Sequence, residues 1–138
     1  MLLGYNDLMS LFLLGSVFDN EFVFPFSFKF VREEVCVIMG FRYGPYVNIY
    51  SLPKVRNVHS VPENNFAVLQ EDIDYLEQSD REGRVLGFIH THNPESNDRE
   101  TPSQEDLRGL PYNMIGGIWC AGKLHLFNRN GKVSYKLI

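Results

Sequence analysis

The chain has 138 residues, 44% of them hydrophobic and 22% charged, which suits one globular domain with a real core. A net charge of −4 argues against non-specific binding to nucleic acid or to an anionic membrane surface. Cys36 and Cys120 each lie in an apolar run, so they read as small buried hydrophobes in a reducing compartment, not as a disulfide framework.

The first stretch, MLLGYNDLMSLFLLGSVF, is apolar. It carries no Lys or Arg ahead of its apolar segment, has Asp7 within it, and lacks a small-x-small cleavage pattern, so it does not read as a signal peptide. The run from Leu8 to Phe18 is too short to span a bilayer as a helix. Residues 5–17 are therefore expected to form a helix packed on the domain, and the protein to be cytoplasmic. Residues 21–30, EFVFPFSFKF, place Phe22, Phe24, Phe26, Phe28 and Phe30 at a period of two, which predicts a strand. Pro25 has no amide hydrogen and favours an edge or a bulge there. The Phe face either packs on the first helix or pairs, as an edge strand, with a second copy of the chain or an extended substrate.

Two strands come next, EVCVIMGF and YVNIYSL, and KVRNVHS at 54–60 reads as another. QEDIDYLEQSDREG predicts an amphipathic helix, with Ile73 and Leu76 inward and Gly83 beyond its end. RVLGFIHTH is a buried strand. After a polar loop, Thr101 is expected to cap a helix starting at Pro102, with Gln104 completing a capping box. MIGGIWC and KLHLF are strands, and NRNG turns the chain into KVSYKLI. The whole reads as one mixed α and β domain over 1–138, without repeats or linkers.

The chemistry concentrates at 87–107, GFIHTHNPESNDRETPSQEDL. On a strand, His90 and His92 project to one face. On the helix after the loop, Ser103 and Asp106 share a face. Two imidazoles and a carboxylate that converge are a three-ligand site, and catalytic zinc keeps three protein ligands and an open fourth position. Taken singly, His-x-His is most often a pair of half-buried histidines, and Ser-x-x-Asp only a helix start. Their order and their strand-loop-helix context make the combination specific. His59 and His125 have no such company and read as structural.

HTH…PSQED resembles the metal-binding motif of the JAMM (MPN-plus) zinc metalloproteases, His-x-His, seven residues, then Ser-x-x-Asp. Here ten residues separate His92 from Ser103, and Pro94 stands one place later than the usual proline. Loop insertion costs little, so the site is expected to survive it. The family also has an upstream Glu followed by two residues, a small residue, three apolar residues and Gly. Reading from Glu33 through Cys36 to Gly40 fits without a gap, whereas Glu34 needs a deletion. An adjacent Glu pair at a strand start is otherwise simply solvated.

The resemblance implies an α/β (α+β) MPN/JAMM-like domain. A central mixed β-sheet would be flanked by helices, with zinc where a strand end meets a helix N-terminus. It implies His90, His92 and Asp106 as Zn²⁺ ligands, Glu33 as general base and Ser103 as a donor to the tetrahedral intermediate. It implies hydrolysis of an isopeptide or peptide bond after the C-terminus of ubiquitin, a ubiquitin-like protein or a sulfur carrier. A non-catalytic scaffold of the same fold, or a phage or bacterial peptidase linked to tails or cell walls, remains open. A zinc deaminase fits less well, since there is no Cys-x-x-Cys and no His-x-Glu.

Overall fold

The computed structural model describes residues 10–14, 24–27, 29–79, 84–97 and 99–137. In chain order they form β1 (Ser10–Leu14), β2 (Val35–Tyr43), β3 (Tyr46–Ser51), β4 (Lys54–Val55), α1 (Gln70–Ser79), β5 (Arg84–Thr91), α2 (Gln104–Gly109), β6 (Ile115–Cys120), β7 (Lys123–Asn128) and β8 (Gly131–Leu137). This is a mixed α+β domain. Among the described residues, no helix is long and apolar enough to cross a membrane.

The strands make one eight-stranded sheet in the order β3-β1-β8-β7-β6-β5-β2-β4. β3 also pairs with β2, so the sheet curls back on itself and leaves β4 outside the ring. Closure removes open sheet edges, which otherwise invite pairing with other chains. β1 runs parallel to β3 and β8, and β5 parallel to β6; the other pairs are antiparallel. The inner face gathers Cys36, Ile38, Val47, Ile49, Ile89, Leu126 and Val133. On the outer face, Val37, Met39 and Val85 pack under Ile73 and Leu76 of α1, the two residues expected to face inward. Beside them Ile118, Cys120 and Phe127 pack with Leu107 and Leu110, at and just after α2.

Gly87 sits where β5 crosses closest to β6. A Cβ there would stand 1.7 Å from the Ile115 carbonyl oxygen, so only glycine fits this approach. The β2–β5 register shifts between Ile38 and Met39 beside it, which increases the local bend.

Three expectations are corrected. The helix over 5–17 is not formed at 10–14, which is strand β1; the rest of that range lies outside the described residues. Its short apolar run has no period to distinguish helix from strand. The strand over 21–30 is also absent where described: residues 24–27, 29 and 30 are bends and coil. Phe22, Val23 and Phe28 lie outside the described residues. Phe24 is buried with its ring 4.0 Å from that of Trp119, and Phe26 stacks on Phe24 at 6.0 Å. The segment thus packs on the sheet core by individual rings, not on a helix by a pleated face. Of 54–60, only Lys54 and Val55 are strand, and residues 56–60 are coil and bend.

Phe24→Ala should cost about 3–5 kcal/mol in urea unfolding, the usual penalty for emptying a buried aromatic site. Tyr43→Ala, at a side chain 75% exposed, should stay within about 0.5 kcal/mol of the parent.

Candidate metal centre

The site is built where β2 enters the sheet beside the end of β5. Val35 pairs with His90. The Glu34 amide donates to Thr91 Oγ1 at 2.8 Å, and the Thr91 amide donates to the Glu34 carbonyl at 2.9 Å. The strand alternation then puts Glu33 on the face of His90 and His92 and turns Glu34 away. Glu33 is 5% exposed. Its amide donates to the Pro62 carbonyl at 2.8 Å, and its carbonyl accepts from Asn57 Nδ2 at 2.8 Å. Glu34 instead accepts hydrogen bonds from the Ser27 amide and hydroxyl and forms an ion pair with Lys54. Burial works to raise its pKa, but those hydrogen bonds and the Lys54 charge bring it below the ordinary value.

Asp106 arrives through a helix cap. The cap of α2 is Ser103, not Thr101, and the helix begins at Gln104, not Pro102. Ser103 Oγ accepts from the Asp106 amide at 3.0 Å, and Asp106 Oδ2 accepts from the Ser103 amide at 2.9 Å. Asp106 therefore takes the role expected of Gln104 in closing the box. A carboxylate is the shorter and stronger acceptor at that position.

Four predicted side chains converge. His90 Nε2 and His92 Nε2 stand 3.0 Å apart, and Asp106 Oδ2 lies 3.4 Å from the first and 3.3 Å from the second. Glu33 Oε1 lies 3.9 Å from His90 Nε2. Hydrogen bonding alone does not satisfy the inner triangle. If both imidazoles donate to Asp106, two N–H groups face each other. If one donates to the other, a nitrogen lone pair faces a carboxylate. A cation among three acceptors removes the conflict. Donor atoms around a tetrahedral ion with bonds of ~2.0 Å stand about 3.3 Å apart, and the triangle has that size. Glu33, His90 and His92 also form a buried group whose ligand atoms all lie within 4.8 Å, so the carboxylate of Glu33 could reach a metal ion held there. Asp106 makes the tighter triangle with the two imidazoles, and Glu33 stands farther out, 3.9 Å from His90 Nε2.

The electrostatics agree with a ligand set. Burial pushes His90 down toward its neutral, lone-pair-bearing form, against the pull of Asp106. For Asp106 burial works upward, but hydrogen bonds with His90 and His92 and with the Ser103 amide hold its carboxyl well below the usual carboxylate range. Burial pushes the Cys36 thiol up to about 12, so it is no nucleophile at neutral pH. Ser103 keeps its hydroxyl hydrogen as a donor, since its oxygen is the accepting partner in the cap.

Two neighbours went unread in the sequence. The Phe66 ring stacks on His90, centroids 4.4 Å apart and planes 29° from parallel. Asn57 holds the Glu33 carbonyl. An Asn inside a supposed strand was itself a signal, since strands are depleted of it; nothing marked Phe66. A groove of about 860 Å³ is lined by Ser27, Glu33, Glu34, Lys54 and Asn57 and by Tyr75 and Leu76 of α1. A smaller cavity of about 270 Å³ opens beside His90 and Asp106.

No protein-family model matches the sequence, and no curated protein does. Solved structures do resemble the fold. Protein DSY2949 from Desulfitobacterium hafniense matches with a TM-score of 0.66 at 17% identity, covering 93% of each chain. A protein from Salinibacter ruber matches with a TM-score of 0.53 at 15% identity, covering 78% of this chain and 77% of that one. AF2198, a JAB1/MPN domain protein from Archaeoglobus fulgidus, gives a TM-score of 0.48 at 17% identity over 78% of this chain and 82% of its own. At these identities the first two establish a shared fold, and function rests on the side chains.

His92→Ala and Asp106→Ala should each lose most divalent-metal binding in a cobalt titration followed by visible absorption, while Glu34→Gln should retain it. Unchanged binding in both ligand variants would show that the metal lies elsewhere.

Proposed function

We propose that this chain is a zinc-dependent metallopeptidase of the JAMM type that hydrolyses an isopeptide or peptide bond. Its substrate would be the C-terminal bond of a ubiquitin-like or sulfur-carrier protein. The observation that carries the reading is the buried carboxylate of Glu33 set 3.9 Å from His90 Nε2, beside the tight His90–His92–Asp106 triangle. A structural zinc site closes all four positions with protein ligands, whereas a hydrolytic one keeps an open position with a base beside it.

His90, His92 and Asp106 would hold the ion, and zinc so held supplies Lewis acidity that brings the pKa of water down to about 7. The protein's own groups do the rest. Glu33 Oε1 takes a proton from the attacking water and returns it to the amine as the C–N bond breaks. The Ser103 hydroxyl donates to the carbonyl oxygen as negative charge develops there. Phe66 covers one face of His90 and limits water around the ligand ring. The groove that Glu33 helps to line would receive the extended chain terminus of the substrate. The substrate class comes from the motif resemblance, and the groove is compatible with it.

Chelator-free protein should carry about one zinc per chain. On a panel of ubiquitin-like conjugates, Glu33→Gln should keep the zinc and lose hydrolysis. Glu34→Gln should cut at close to the parental rate, with a stability loss within about 1 kcal/mol from its partly exposed pair with Lys54. Activity that survives Glu33→Gln, or disappears in Glu34→Gln, would remove Glu33 from the mechanism.

A further inference from the structure

The loop between β4 and α1 touches the site at two places, and one side chain joins them. Asn57 uses its full hydrogen-bonding capacity. Its Nδ2 donates to the Glu33 carbonyl at 2.8 Å and to the Asn65 carbonyl at 2.9 Å. Its Oδ1 accepts from the His59 amide at 3.1 Å and the Ala67 amide at 3.1 Å. Asn65 and Ala67 flank Phe66, so the residue that stacks on His90 is gripped on both sides by Asn57. The loop is closed further by the Val58 amide on the Ala67 carbonyl at 2.9 Å and by the Val61 amide on His59 Nδ1 at 2.9 Å. It returns to Glu33 a second time, through the Pro62 carbonyl on the Glu33 amide at 2.8 Å.

We infer that Asn57 is a positioning residue that sets the Glu33 backbone and the Phe66 ring together, so that the carboxylate and the His90 imidazole keep one relative placement. Glu33 lies two residues ahead of Val35, the first residue of β2. Its amide and its carbonyl are both hydrogen-bonded to this loop. The His90 backbone is held by its strand, and the orientation of its ring by Asp106 and His92 at one edge and by Phe66 across its face. Asn57 connects the two restraints. The kinetic part of this inference rests on the metallopeptidase reading; the structural part does not.

Three proteins test it beside the parent. Asn57→Ala removes both halves of the link. Asn57→Asp keeps the acceptor half toward His59 and Ala67 and removes the donors to Glu33 and Asn65. Asn64→Ala, at an exposed side chain of the same loop, is the control. In the metal-free proteins, proton NMR should show His90 ring resonances shifted upfield by Phe66 in the parent and the control, and the shift should be lost in both Asn57 variants. The Glu33 amide should lose its exchange protection in the same two. With metal and substrate, kcat should fall roughly ten- to hundredfold with KM little changed, the penalty of a base misplaced by a fraction of an ångström to one ångström. Agreement between the neutral and the charged variant separates the lost donors from the added charge.

A merely structural Asn57 would lower the melting temperature and leave the His90 shift, the Glu33 protection and kcat of the folded fraction at the control's values. That result overturns the inference. If the variants do not fold, the parent alone decides: both Asn57 carboxamide protons should exchange slowly, and rapid exchange overturns it. A parent without metal or hydrolysis sinks the proposed function, while the NMR comparison still judges Asn57.

Discussion

The antiparallel register between β2 and β5 is the constraint on which the site depends. Side chains alternate along a strand, so a slip of one residue would bring Glu34 to the ligand face and turn Glu33 away. The register is held where it matters by the reciprocal bonds between Glu34 and Thr91, beside the pairing of Val35 with His90. Each of the two adjacent glutamates then meets a different environment. Glu34 finds Lys54 and Ser27 and is neutralised at the surface. Glu33 finds imidazoles and is buried.

The second feature is the double use of Asp106. Its Oδ2 accepts the Ser103 amide and also faces both imidazoles. One carboxylate therefore caps a six-residue helix and closes the triangle with His90 and His92. A helix that short has little stability of its own, so its cap and its packing through Leu107 and Leu110 carry it. Metal bound at Asp106 would add to the stability of the folded state by mass action, since the unfolded chain has no such triangle. The folding of this corner and its chemistry are thereby linked.

Much of this could be read from the residues, for physical reasons that also explain the failures. His90 and His92 were legible because a strand fixes which face i and i+2 share. Ser103 and Asp106 were legible because a helix start has a stereotyped hydrogen-bond pattern, although the cap fell at Ser103, two residues beyond Thr101. Glu33 is favoured over Glu34 by the pattern of the family that the motif resembles, and in the structure Glu33 is buried while Glu34 pairs with Lys54. The first strand differs from the expected helix because the four apolar residues after Ser10 hold no period. The Phe-rich segment differs because alternation along a chain does not require pairing: Pro25 offers no amide, and Phe24 and Phe26 pack on the core from bend and coil. Phe66 and Asn57 act across the fold from a loop, where no local pattern reports a tertiary contact.

The central claim is that His90, His92 and Asp106 hold a zinc ion with one position left for solvent. Zinc-edge X-ray absorption on the loaded, chelator-free protein tests it most directly. The account predicts multiple-scattering from two imidazoles, with only nitrogen and oxygen neighbours at about 2.0 Å. A sulfur neighbour at about 2.3 Å would contradict it, because it would draw Cys36 or Cys120 into the coordination shell and leave the His90–His92–Asp106 triangle without its ion.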